Sequence, residues 1–174
     1  MSTGKNTKRY ETPNHPYQGE RIAQEGDLLG RYGLKNKEEL WRTQSELRSY
    51  RREARRLIGE AQGNMEEAEA AGAQFLSRLR RYGILSEDDD INDVLGLDVT
   101  DILERRLQTV VYRNGLASTP KQARQFIVHE HIVVDEARVS RPSKMVEANE
   151  EDKIGFDGTS PLADDLHPVR AEGQ

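Results

Sequence analysis

The tightest punctuation in the chain lies between Asp101 and Val139, and it demands a helix–helix–hairpin unit there. DVTDILERRLQTVVYRNG reads as one helix from about Asp101 to Arg113. Asp101 with Glu104 fits a capping box, and Asn114-Gly115 ends the helix because both residues tolerate the left-handed conformation. A fresh start follows almost at once, at Thr119-Pro120-Lys121-Gln122. Thr suits the N-cap, Pro loses no bond at the first helical position, and Gln three residues on completes the signature. This second helix, about 120–129, points Ala123, Phe126 and Ile127 inward. IVVDEARV then reads as a strand, a turn at Asp135-Glu136-Ala137, and a second strand. Met145–Glu147 and Lys153–Phe156 can add short strands.

Upstream the period is helical. Residues 1–19 hold Pro13, Pro16, Gly19 and scattered cations without apolar periodicity, and read as an extended basic arm. ERIAQEGDLLG is a short helix ending at Gly30, followed by a loop from Tyr32 to Asn36. A long helix from about Lys37 to Ile58, stopped by Gly59, puts Leu40, Leu47, Tyr50, Ala54, Leu57 and Ile58 on one arc. Another, from about Met65 to Tyr82, carries Ala68, Ala71, Phe75, Leu79 and Tyr82, with Gly83 as its cap. Glu87–Asp90 is a loop, and Asp90 can cap a short helix over INDVLGL. The expected class is therefore α+β. An α-helical N-terminal domain (20–100) precedes a small module of a helix pair packed on a short, mainly antiparallel sheet (101–156). An irregular acidic tail (157–174) closes the chain.

Composition removes several classes of function. There are no cysteines, so disulfides, thiol nucleophiles and thiolate zinc sites are excluded together. No run approaches the apolar length of a membrane span, and the N-terminus lacks the apolar core of a secretory signal, so a reduced cytoplasmic home is the simplest expectation. Neither a phosphate-cradling G-x-x-x-x-G-K-[ST] nor a G-x-S-x-G elbow is present. His129-Glu130-His131 offers two metal ligands without a third, and Asp88-Asp89-Asp90 lacks the spaced ligands of a calcium loop. No catalytic residue, metal or cofactor is expected. Trp41, at the basic edge of its helix, can stack on a base, though packing is the commoner fate of a lone Trp.

Net charge is −5, which at face value disfavours a polyanionic partner. Resolved by segment the picture differs. Residues 1–60 carry 13 Lys+Arg against 9 Asp+Glu, and residues 102–145 carry 8 against 4. The acid sits in 61–101, with 3 against 10, and in 146–174, with 2 against 8. Nineteen of the 26 cations are Arg, whose planar fork grips phosphate in bidentate fashion. Arg105, Arg106, Arg113, Lys121, Arg124, Arg138, Arg141 and Lys144 can converge on one face if the helix pair packs on the strands. Such a face can track RNA phosphates.

LERRLQTVVYRNGLASTPKQARQFIVHEHIVVDEARVSRPSKMV resembles the RNA-binding module named after the S-four family of ribosomal proteins. The matching pieces are RRLQTVVYRNGLA, the QAR of the second helix, HEHIVV, and Arg141-Pro142-Ser143. YGLKNKEELWR, LRSYRREARRL and DVLGLDVTDILERRL extend the similarity, over roughly residues 5–156, to the archaeal and eukaryotic branch. The resemblance implies a non-enzymatic constituent of the small ribosomal subunit. Such a protein binds small-subunit rRNA directly, nucleates assembly of the subunit body beside neighbouring small-subunit proteins, and helps set translational accuracy. It implies RNA contacts at Arg105, Arg106, Arg113, Lys121, Gln122, Arg124, His129, His131, Arg141, Ser143 and Lys144. A basic helix (Arg42, Arg48, Arg52, Arg55, Arg56) and the arm (Lys5, Lys8, Arg9) add to these. Some bacterial members carry a zinc-binding Cys cluster, impossible here, and DEARV replaces the module's usual Asn-Gly turn. The acid resembles that of salt-adapted archaeal proteins. The alternative reading is the RNA module of an RNA-modifying or tRNA-acting factor.

Overall fold

A computed structural model describes residues 8–171. α1 (Gly19–Tyr32) does not stop at Gly30 but runs on to Gly33, which takes a φ of 60°. Gly33 N–H donates to the Gly30 carbonyl and Leu34 N–H to that of Leu29. This is the left-handed cap with its accompanying apolar contact, since Leu34 is buried. Asn36 then caps α2 (Lys37–Glu60), its side chain accepting the Glu39 N–H at 3.2 Å. α2 buries Leu40, Leu47, Ala54 and Leu57, the expected arc, and passes through Gly59 without stopping. α3 (Met65–Arg81) turns Ala68, Phe75 and Leu79 inward and closes on Gly83 at a φ of 66°. A single 3-10 turn, Asp93–Gly96, stands where a short helix was expected, and it buries Val94.

The predicted helix 101–113 is two helices. α4 (Val99–Leu103) starts earlier, capped at Asp98, whose N–H donates to the Asp101 carboxylate at 2.7 Å. α5 (Leu107–Arg113) follows a break at which Arg106 is extended. The break has a tertiary cause. Leu107 N–H donates to the Lys144 carbonyl at 2.8 Å and Gln108 N–H to that of Pro142 at 3.1 Å, replacing bonds within a helix. Arg106 also forms an isolated bridge to Met145, which is all that remains of the strand expected at 145–147. α6 (Pro120–Val128) begins as predicted, with Thr119 Oγ1 accepting the Gln122 N–H at 3.1 Å.

β1 (Ile132–Val134) is the centre of a three-stranded antiparallel sheet, between β2 (Ala137–Arg138) and β3 (Ile154–Phe156). The β1–β2 turn uses two residues, Asp135 and Glu136, both with positive φ (51° and 66°), so Ala137 belongs to the strand. That geometry is the hairpin turn that favours Asn-Gly. Glu has no local side-chain compensation for it, and a left-handed residue costs about 1–2 kcal/mol. Glu136→Gly is therefore expected to raise stability by about 1 kcal/mol, seen as a melting point higher by roughly 2–4 °C.

Two apolar clusters form. The first unites Tyr32, Leu40, Leu57, Leu79, Val94, Ile102 and Leu103; the second unites Leu107, Val111, Ala123, Ile127, Ile132 and Val146. Each fully buried Leu or Ile is worth about 1.5–3 kcal/mol. Polar straps cross between the clusters. Gln108 Nε2 donates to the Gly33 and Pro120 carbonyls, both at 2.9 Å, and Tyr32 OH donates to Glu104 at 2.8 Å. The acidic tail, expected to be irregular, packs as far as it is described. Leu162 enters the second cluster from the 3-10 turn Pro161–Ala163, and α7 (Pro168–Ala171) follows. Among the described residues no helix is long and apolar enough to cross a membrane.

Candidate nucleic-acid interface

The basic arm is docked onto α2. Tyr10 lies 6.1 Å from the Trp41 ring, and the Arg42 guanidinium sits 5.7 Å over Tyr10. Glu11 N–H donates to Ser45 Oγ, and Glu11 pairs with Arg48 at 3.4 Å. Lys8 and Arg9 are thereby carried to a cleft of about 730 Å³ also lined by Arg42, Arg106 and Ser143. Five assigned residues from four distant stretches thus share one opening. Lys5 lies outside the described residues. Trp41 is used for packing: its Nε1 donates to buried Glu25 at 3.0 Å.

The α2 arginines divide by their neighbours. Arg52 and Arg55 are exposed, with no ion pair among the described residues. Arg56 is clamped by Glu53 at 2.7 Å and Glu60 at 2.6 Å. Its hydrogen bond holds the Glu53 carboxyl below the usual carboxylate range. The acids three before and four after Arg56 were legible as partners in the sequence.

Arg106 is among the cations expected to converge with Arg113 on one RNA-facing surface. Instead, at the break before α5 it is turned inward and only 4% exposed. Glu39, on α2, receives it at 3.6 Å and Arg124, from α6, at 3.2 Å. Burial pushes the Glu39 carboxyl up. The Lys35 N–H and the charges of Arg106 and Arg124 outweigh that and hold it below its ordinary value. Arg106 moves down because burial penalises its charge, with Glu39 opposing. Arg105 is also turned to structure. It bonds the Tyr82 carbonyl at 2.7 Å and Glu151 at 3.0 Å. Arg113 is exposed but paired with Glu104 at 3.0 Å, and that same carboxylate accepts from Tyr32. Burial and the Glu104 hydrogen bond push the Tyr32 phenol up to about 12.

The family described as S4 domain matches residues 105–152. The small ribosomal subunit protein uS4 of Haloquadratum walsbyi is 83% identical over 100% of this chain and 99% of that protein. Its counterpart in Natronomonas pharaonis is 70% identical over the full length of both. The chain belongs to the uS4 family of small ribosomal subunit proteins. The uS4 protein of Methanococcus aeolicus is 51% identical over 95% of this chain.

Within the matched S4 domain the remaining assigned residues fall into two groups. Lys121 and Arg141 are exposed and have no ion pair among the described residues, and Ser143 is exposed at the cleft. Lys144 is held by Glu150 at 2.6 Å, and Gln122 Oε1 accepts the Ser118 N–H. His129 is exposed, while His131 Nδ1 lies 2.8 Å from Ser160 Oγ. Their rings are 6.2 Å apart, and no group of metal ligands forms among the described residues. Gln122, His129 and His131 share a groove with Pro161, Leu162 and His167, so the tail borders residues of the uS4 module. Sequence reasoning missed Glu39. The only signal was an acid inside a basic helix, which local periodicity reads as solvated.

Proposed function

We propose that this uS4 protein is a non-enzymatic constituent of the small ribosomal subunit in the cytoplasm. It binds rRNA directly through its exposed cations, nucleates assembly of the subunit body beside neighbouring subunit proteins, and helps set translational accuracy. A helical part (20–100) and the RNA module (101–156) act together across one cleft. The observation that carries this reading is the meeting of Lys8, Arg9, Arg42 and Ser143 around that cleft, in a chain whose net charge is negative. Local concentration of cations, not net charge, decides whether a polyanion is held.

At about 1 M salt the Debye length is near 3 Å, so long-range steering contributes little. Binding then rests on short, charge-assisted contacts, for which Arg is suited. Affinity for a small-subunit rRNA fragment, measured against KCl, is expected to survive into the multimolar range. Lys121→Ala and Arg141→Ala should each weaken binding evenly across RNA sequences and lower the log–log salt slope by about 1. Undetectable binding in multimolar KCl, or an unchanged slope in both variants, would overturn the reading.

A further inference from the structure

We propose that Glu39 is a positioning residue for the RNA-facing surface: one carboxylate on α2 sets where Arg106 and Arg124 lie, and with them the shape of the cationic cleft. This rests on the RNA-binding reading above.

Glu39 puts a negative charge on a surface that would hold phosphate. A carboxylate beside Lys8, Arg9, Arg42 and Ser143 repels the phosphates that such a cleft would hold, and Glu38 and Glu46 line the same cleft. Yet Glu39 is not a bystander on the rim, because its side chain is only 20% exposed. Its two oxygens divide the work. Oε1 accepts from Arg124 at 3.2 Å, and Oε2 accepts the Lys35 N–H at 3.0 Å and faces Arg106 at 3.6 Å. Among the described residues it is the only carboxylate in ion-pair range of either arginine.

The three partners come from different parts of the fold. Glu39 stands on the helix whose Leu40 lies in the first apolar cluster. Arg106 precedes Leu107, and Arg124 follows Ala123, both of the second cluster. Ion pairs from α2 to both therefore fix the second part against the first beside the cleft. The stoichiometry matters too. Two guanidiniums share one carboxylate, so one positive charge remains unmatched. Arg106 Nε and Nη2 and Arg124 Nε are buried without a hydrogen bond. Glu39 thus orders the cations without cancelling them. Free arginine side chains would instead lose considerable rotamer entropy on binding.

Electrostatics and positioning predict opposite signs for Glu39→Gln. Removing a negative charge from a phosphate-binding face, with nothing else changed, tightens all RNA binding. If Glu39 positions the arginines, Glu39→Gln in the full chain binds a small-subunit rRNA fragment about tenfold more weakly. The same variant binds poly(U) as well as or better than the wild type at the same KCl. Glu39→Asp keeps the charge but withdraws it by one methylene, and falls between. Melting curves of each variant establish that it is folded. If Glu39→Gln does not fold, the Asp variant is read alone, and an unchanged ratio of rRNA to poly(U) affinity overturns the proposal. So does rRNA affinity in Glu39→Gln equal to or above that of the wild type. A wild-type chain that binds both RNAs equally overturns the proposal alone, and one that binds neither removes the RNA-binding reading and the proposal with it.

Discussion

Gly33→Ala is expected to cost the fold about 2–4 kcal/mol, although it adds a single methyl group to a loop. The residue sits at a φ of 60°, where a Cβ is strained whatever the space. There is also no space. The added Cβ would lie 2.9 Å from Gln108 Nε2, 2.9 Å from Pro120 Cβ and 3.0 Å from the Pro120 carbonyl carbon. Two of these contacts cannot yield without moving the start of α6, and the third is the amide strapping the two parts together. The control is Gly30→Ala, three residues away. It is helical and meets nothing within 4 Å, so it should gain up to about 1 kcal/mol. Urea unfolding of the two variants would measure both signs. A loss below about 1 kcal/mol in Gly33→Ala would show that α6 can move away at little cost.

The second large effect is on Arg106. Arg106→Glu would place two carboxylates against each other in a site only 4% exposed, and a broken buried pair alone costs about 3–5 kcal/mol. The variant is expected to lose its cooperative melt at room temperature, followed by circular dichroism. Paired with Arg124→Glu the damage should increase, since both arginines answer to Glu39. Read from sequence alone, that double variant looks like a clean test for RNA binding, but it tests folding. A surface substitution such as Arg52→Ala should stay within about 0.5 kcal/mol of the wild type.

The contrast between these sites marks where legibility ended. The α2 and α3 apolar arcs and the Thr119 start of α6 follow from signals within a few residues and are found as expected; the hairpin stands where it was expected, but its turn is Asp135-Glu136 alone and Ala137 belongs to the strand. Misreadings share one cause. The helix 101–113 breaks because Leu107 and Gln108 take partners near residue 143, which no local pattern announces. Gly30 and Gly33 look alike until Leu34 finds a core to enter. Whether the assigned cations reach solvent was the least legible property. Arg105, Arg106, Arg113, Arg124 and Lys144 all have acidic partners far along the chain or across a turn.

By itself the sequence determined the α+β class, the helix pair with its hairpin, and the uS4 resemblance that the relatives bear out. The first two rest on short-range sterics, capping and periodicity, which act within one turn of chain; the resemblance rests on matching blocks such as RRLQTVVYRNGLA and HEHIVV. The tertiary structure decided which arginines are structural and which face outward, where one helix becomes two, and how the arm docks onto α2. Those depend on the burial of charge, and a buried guanidinium is settled only by the carboxylate that comes to meet it.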